Sequence, residues 1–159
     1  MLTMFTYDRS RRATLAGLVT LAGALLDASR AAASDEVSTL TVQVTGARND
    51  RGQVALLVFR DPAGYPDDPR RALRSHVAPL KDRSTTVLVR DLPPGRYVVT
   101  LIHDENRNGK LDTNILGIPT EGYGFSNNPK VGLSAPAFGA CTFVVPSGAA
   151  ARIDIGLRY

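Results

Sequence analysis

Asp104, Asn106, Asn108, Gly109 and Asp112 occupy the segment DENRNGKLD with the D-x-[DN]-x-[DN]-G spacing that lets short oxygen-bearing side chains converge on one hard cation. With Asp104 as the first ligand, Asn106 and Asn108 take the third and fifth places and Gly109 the sharp turn. Lys110 then offers its backbone carbonyl and Asp112 falls at the ninth place. The twelfth place is Ile115, which has no carboxylate, so the segment is not an EF-hand. Glu121 or Asn114 is left to close the shell. Arg107 and Lys110 stand inside the loop and oppose a cation, so calcium is expected to bind weakly, with Kd on the order of 10⁻⁴ to 10⁻³ M. The same residues can also order the loop with no ion, because Asn and Asp side chains satisfy nearby backbone groups in Asx-turns and Asn108-Gly109 is a good reversal.

His103 precedes this segment, and EGYGFSNN, residues 121–128, follows it. With no second histidine nearby and no thiol, His103 reads as a hydrogen-bonding residue at a strand end rather than a ligand or base. Tyr123, Phe125, Asn127 and Asn128 could present aromatic faces and amides to an envelope glycan, a peptide or a protein. Alternatively, the two rings tuck over the open end of the fold and pin a long loop. There is no G-x-S-x-G elbow, no H-E-x-x-H, no phosphate loop and no nucleotide-binding glycine pattern. A hydrolase built on Asp104 with Asp112 or Glu121 is the enzymatic alternative, but these carboxylates are better explained as loop formers or ion ligands.

The elements that must carry this loop are strands. Leu40, Val42 and Val44 alternate with threonines and Gln43, and Gln53 to Phe59 is a denser apolar run, so the two read as a hairpin across Asn49-Asp50-Arg51-Gly52. Pro62, Pro66 and Pro69 forbid a regular ladder after Arg60, and Asp68 could cap one helical turn over Pro69 to Arg74. Ser75 to Leu80 and Ser84 to Arg90 flank a Lys81-Asp82-Arg83 turn. The corner Asp91 to Tyr97 feeds Val98 to Ile102, a central strand apolar on both faces. Ala140 to Val145 and Ala151 to Leu157 read as a last hairpin across Pro146-Ser147-Gly148. Seven strands and no sustained helical period predict an all-β chain: a single antiparallel β-sandwich, in the wider immunoglobulin-like class, over residues 34–159.

Residues 1–33 read as a signal peptide. Arg9, Arg11 and Arg12 precede the apolar run Ala13 to Leu26, and Ala31-Ala32-Ala33 gives a small-residue cleavage context. The run is short of the ~20 residues that span a bilayer, so a periplasmic or secreted protein without a membrane span is expected, exported by the general secretory or the twin-arginine route. Subtracting the four arginines and two aspartates of the leader from 19 basic and 15 acidic residues leaves 15 and 13. The high pI is thus largely a leader effect, and no basic stripe points to nucleic acid. Cys141 is the only cysteine, which excludes an intrachain disulfide, and it reads as a small buried hydrophobe.

The corner DLPPGRYVV resembles the L-P-P-G-x-Y motif of transthyretin-like and carboxypeptidase-regulatory-like modules. Together with TVQVTGARNDRGQVALLVF, GYPDDPRRAL, HDENRNGKLDTNILGIPTEGYGFSNN and the closing IGLRY, the chain resembles a family of small exported bacterial proteins grouped as a domain of unknown function. The resemblance covers essentially all of the mature part and implies an exported β-sandwich; it implies no activity. The expectation from the sequence is therefore a non-catalytic exported protein whose 103–128 loop is a binding or structural surface. A purely structural envelope protein is a further alternative.

Overall fold

The computed structural model describes residues 37–159, so the expected leader lies outside the described residues. Residues 37–159 lie within one compact unit. Eight strands follow in order: β1 (Ser38–Thr45), β2 (Gln53–Phe59), β3 (Arg74–Ala78), β4 (Thr85–Leu92), β5 (Gly95–Asp104), β6 (Gly122–Phe125), β7 (Phe143–Val145) and β8 (Ala150–Gly156). A single helical turn, α1 (Phe138–Cys141), precedes β7. The chain is thus nearly all β, in two sheets. One has the order β4-β1-β8; the other has the order β3-β2-β5-β6, with β7 paired to the start of β5.

The alternation in the sequence sets which side chains turn inward. Leu40, Val42 and Val44 of β1 join Val87 and Val89 of β4 and Ile155 of β8 in one buried cluster, which also contains Val54, Leu56 and Val58 of β2 and Tyr97, Val99 and Leu101 of β5. Both sheets therefore contribute to a single core. Tyr97 is fully buried, and its hydroxyl donates to the Pro93 carbonyl at 2.6 Å, which ties the Pro93-Pro94 corner to the strand it feeds.

Several connections differ from the expectation, for one reason. Short turns here carry the chain from one sheet to the other instead of closing hairpins. β1 and β2 do not pair: β1 lies between β4, antiparallel, and β8, parallel, while β2 pairs with β3 and β5. The parallel pair also means that the strands are not all antiparallel. The turn at Lys81 to Ser84 likewise leads from β3 in one sheet to β4 in the other. Pro146-Ser147-Gly148 separates β7 from β8, again in different sheets. Alternation fixes which face a residue occupies, but not which neighbour a strand takes.

Two local assignments also change. Residues 69–73 make turns rather than a helical turn, with Asp68 Oδ1 accepting from the Arg70 amide at 3.0 Å. Ala140 and Cys141 close α1, and only Phe143 onward is strand. The eighth strand, β6, comes from EGYGFSNN, which was expected to be loop.

Candidate functional site

The 103–121 loop is closed by a dense set of hydrogen bonds. Asp104 is fully buried, and its carboxylate accepts from the Asn108 amide at 2.9 Å, the Gly109 amide at 3.0 Å and Gln53 Nε2 at 3.0 Å. Asn106 Oδ1 accepts from the Asn108 amide and Asn108 Oδ1 from the Lys110 amide, which fixes both side-chain amides with nitrogen toward Asp112. Their Nδ2 groups donate to the two Asp112 oxygens at 2.6 and 2.9 Å. Glu121, also buried, accepts from the amides of Glu105 and Asp112, so it staples the two ends of the loop together. The structure thus brings Asp104, Asn106, Asn108, Lys110, Asp112 and Glu121 into one network. As placed, each of the three carboxylates is satisfied by nitrogen donors.

A second ring of contacts holds this loop to the rest of the chain. Glu105 takes Arg48 Nε at 2.6 Å, Asn49 Nδ2 at 3.0 Å and Arg51 at 2.7 Å, with only 7 % of its side chain exposed. Burial works against its charge, but the hydrogen bonds from Asn49, Arg51 and Arg48 overcome it and hold the carboxyl down at about 2. Arg48 also reaches the Thr120 carbonyl and lies over the Tyr159 ring, 4.8 Å from its centroid. Gly52, at φ 71°, allows the β1–β2 connection to pass close to β5: a Cβ there would stand 2.1 Å from the Asp104 carbonyl oxygen.

His103 belongs to this clasp and faces the core. It is fully buried, with Nδ1 2.7 Å from the Tyr159 hydroxyl and Nε2 2.7 Å from the Arg51 carbonyl. It therefore does not lie on a ligand surface. Asn127 and Asn128 are likewise engaged. Asn127 Nδ2 donates to the carbonyls of Ala140 and Thr142, while Asn128 donates to the Asp154 carbonyl and accepts from the Gly156 amide. Both have positive φ, 65° and 46°, in keeping with asparagine's tolerance of the left-handed turn that ends β6.

Tyr123 and Phe125 sit in β6 rather than over an open end. Gly122 and Gly124 face inward because β6 packs too closely for side chains there. A Cβ on Gly124 would lie 2.6 Å from Ile155 Cγ2, and one on Gly122 would lie 2.7 Å from the Tyr159 ring. The alternate residues, Tyr123 and Phe125, consequently face outward. They stack edge-on with their centroids 6.1 Å apart.

That outward face is apolar and concave. Pairing across the sheet lines up Val77, Ala55, Ile102 and Tyr123 in one row and Ser75, Leu57, Thr100 and Phe125 in the next. At one end Phe59 and Val98 are covered by Tyr65, Phe138 and Cys141 in a second buried cluster. At the other end Gln53 and Asp104 begin the polar clasp. The rows between floor a groove of about 780 Å³, walled by Pro66, Asp67 and Pro69, by residues 109–111 with Gly117 and Pro119, and by residues 131–135. Tyr65 locks two of these walls. Its ring packs edge-on against Phe59 and Phe138, its hydroxyl donates to the Pro136 carbonyl at 2.8 Å, and Thr100 Oγ1 holds the adjacent Pro66 carbonyl at 2.8 Å. Burial raises the pKa of both the Tyr65 hydroxyl and the Cys141 thiol, which lies 3.5 Å away.

The floor residues Ala55, Leu57, Thr100 and Ile102 were not singled out from the sequence. Their signal was there in the apolar outer faces of β2 and β5, which require cover or a ligand. The volume lies within the range of small-molecule sites, roughly 300–1,000 Å³. Among the described residues no helix is long and apolar enough to cross a membrane, and no three His, Cys, Asp or Glu side chains converge as a metal centre. No curated protein and no solved structure matches the chain. The family model described as "Uncharacterized protein conserved in bacteria (DUF2141)" matches residues 42–154, and the chain belongs to that family.

Proposed function

We propose that this is an exported, non-catalytic binding protein, its two sheets stacked as a β-sandwich, that holds a small apolar molecule in the groove over β2, β5 and β6. The observation that carries this reading is the groove itself: two rows of mostly apolar side chains, left open between walls that Tyr65 and the clasp fix in place. A pre-formed apolar concavity of this size binds by releasing water from its surface, at about 25 cal/mol per Å² removed from solvent. Walls on three sides favour a compact ligand over a peptide running through. The stacking of the sheets is supported by the core cluster that draws on both. The non-catalytic reading is supported by the carboxylates of the loop, each taken up by nitrogen donors. On this reading the 103–121 loop is a structural clasp that forms one end of the site.

The test is titration with N-phenyl-1-naphthylamine, an uncharged apolar fluorophore. Saturable enhancement that Leu57→Lys or Ile102→Lys weakens ten-fold or more, and that Leu88→Lys on the other sheet leaves unchanged, supports the groove. Enhancement indifferent to all three changes removes it.

Weak calcium binding is a second reading, favoured by one observation. Asp104 accepts from the amides of Asn108 and Gly109 while Asn106 and Asn108 both donate to Asp112, so these four candidate ligands share one hydrogen-bonded network. Ion binding would require Asn106 and Asn108 to exchange their contacts to Asp112 for the cation. Melting curves after exhaustive chelation, with and without millimolar calcium, decide it: a raised Tm supports the ion and identical curves remove it.

A further inference from the structure

From two exposed apolar tips beside the groove we infer a docking surface for an anionic lipid membrane. The first tip is residues 113–119. Asn114 organises it: its amide donates to the Ile118 carbonyl, its carbonyl accepts from the Gly117 amide, and its Oδ1 accepts from the amides of Leu116 and Ile118. A bridge between Thr113 and Pro119 closes the base. Four amides of the tip are thereby taken up within it, and its large side chains are presented to solvent. Ile115 is 102 % exposed, Leu116 77 % and Ile118 55 %. The second tip, on another wall of the groove, carries Leu133, which is fully exposed. Single exposed apolar residues are ordinary; four large ones on two loops that border one groove ask for a partner.

Charge selects the partner. Each tip has a lysine at its base, Lys110 before the first and Lys130 before the second, both exposed and neither in an ion pair among the described residues. There is no acidic residue between Thr113 and Thr120, or between Gly122 and Ile153. The flanking carboxylates of Asp112 and Glu121 are held inside the clasp. On the third wall stand two acids, Asp67 and Asp68, against two bases, Arg70, which pairs with Asp68, and Arg71, so that wall has no net charge. Large aliphatic side chains at the tips, with cations one step behind them, match the order of an anionic bilayer, acyl chains beneath negative headgroups. This inference rests on the tips and not on the groove, so it can fail or hold independently of the fluorophore titration.

The experiment is sedimentation of the purified protein with vesicles of phosphatidylcholine alone and of phosphatidylcholine mixed with phosphatidylglycerol. Binding is expected to the mixed vesicles and to weaken in high salt. Lys110→Glu and Lys130→Glu should each weaken it about five-fold or more, and Leu133→Asp or the pair Ile115→Asp, Leu116→Asp at least ten-fold. These positions are exposed, and unchanged melting of each variant shows that the fold is intact. Several results overturn the inference: no vesicle binding, equal binding to both compositions, or tip variants that bind as the parent does. Self-association that the tip changes abolish, without vesicle binding, also overturns it in favour of a second copy.

Discussion

The Tyr159 hydroxyl stands 2.7 Å from Nδ1 of the fully buried His103, and the direction of this hydrogen bond follows from the contact on the other side of the ring. Nε2 faces the Arg51 carbonyl, which can only accept, so Nε2 carries the proton and Nδ1 offers a lone pair. Tyr159 donates to that lone pair and accepts from the Arg48 amide at 2.9 Å. One polar relay thus joins the β1–β2 connection, the end of β5 and the final residue. Burial raises the pKa of the tyrosine hydroxyl, which keeps it neutral and able to donate at ordinary pH.

Tyr159→Phe removes the donor and leaves Nδ1 of a buried imidazole unpartnered. The expected loss is about 1–3 kcal/mol, read as a lower urea midpoint with an unchanged slope. A midpoint equal to that of the parent would show that the relay contributes nothing.

Glu105 makes stability depend on acid. Its folded carboxyl is held at about 2, against an ordinary value of 4.5. A depressed folded value stabilises fully above the ordinary value and is lost as pH falls from there through about 2. The difference corresponds to roughly 3 kcal/mol at most, reduced by screening of the partly exposed arginines. Urea midpoints should fall between pH 4.5 and 2, and more steeply in the parent than in Glu105→Gln. Parallel curves for the two proteins would contradict the assignment.

Gly124→Ala should cost about 1–3 kcal/mol, because its Cβ would meet Ile155 and Leu101 in the core and the Gly156 carbonyl oxygen lies only 3.3 Å away. Gly132→Ala meets open space and should fall within about 0.5 kcal/mol of the parent. Equal midpoints for the two variants would mean that β6 does not pack as described.

Much of the fold was legible in the sequence because a strand's period is local. Leu40, Val42 and Val44 could be assigned to one face from their spacing alone, and the core contains all three. The pairing was not legible, because it depends on distant residues: Leu40 lies beside Val89 and Ala151, and no turn signal encodes the parallel partner. The loop ligands were readable by type and spacing. What they do was less so, since Arg48, Arg51 and Tyr159, which complete the clasp around Glu105 and His103, are remote in the chain. The glycines of EGYGF are close-packing positions on a strand, which only their contacts with Ile155 and Tyr159 reveal. The groove was hidden for a similar reason: its floor combines four strands.

Whether a ligand sits on the outer face of β2, β5 and β6 is read from methyl-resolved NMR of the protein titrated with N-phenyl-1-naphthylamine. Shifts are expected at Ala55, Leu57 and Ile102 on the groove floor, with Leu40 and Val42 of the core unmoved. Shifts at Leu40 and Val42 with the three floor methyls silent, or none at saturating probe, would rule the site out.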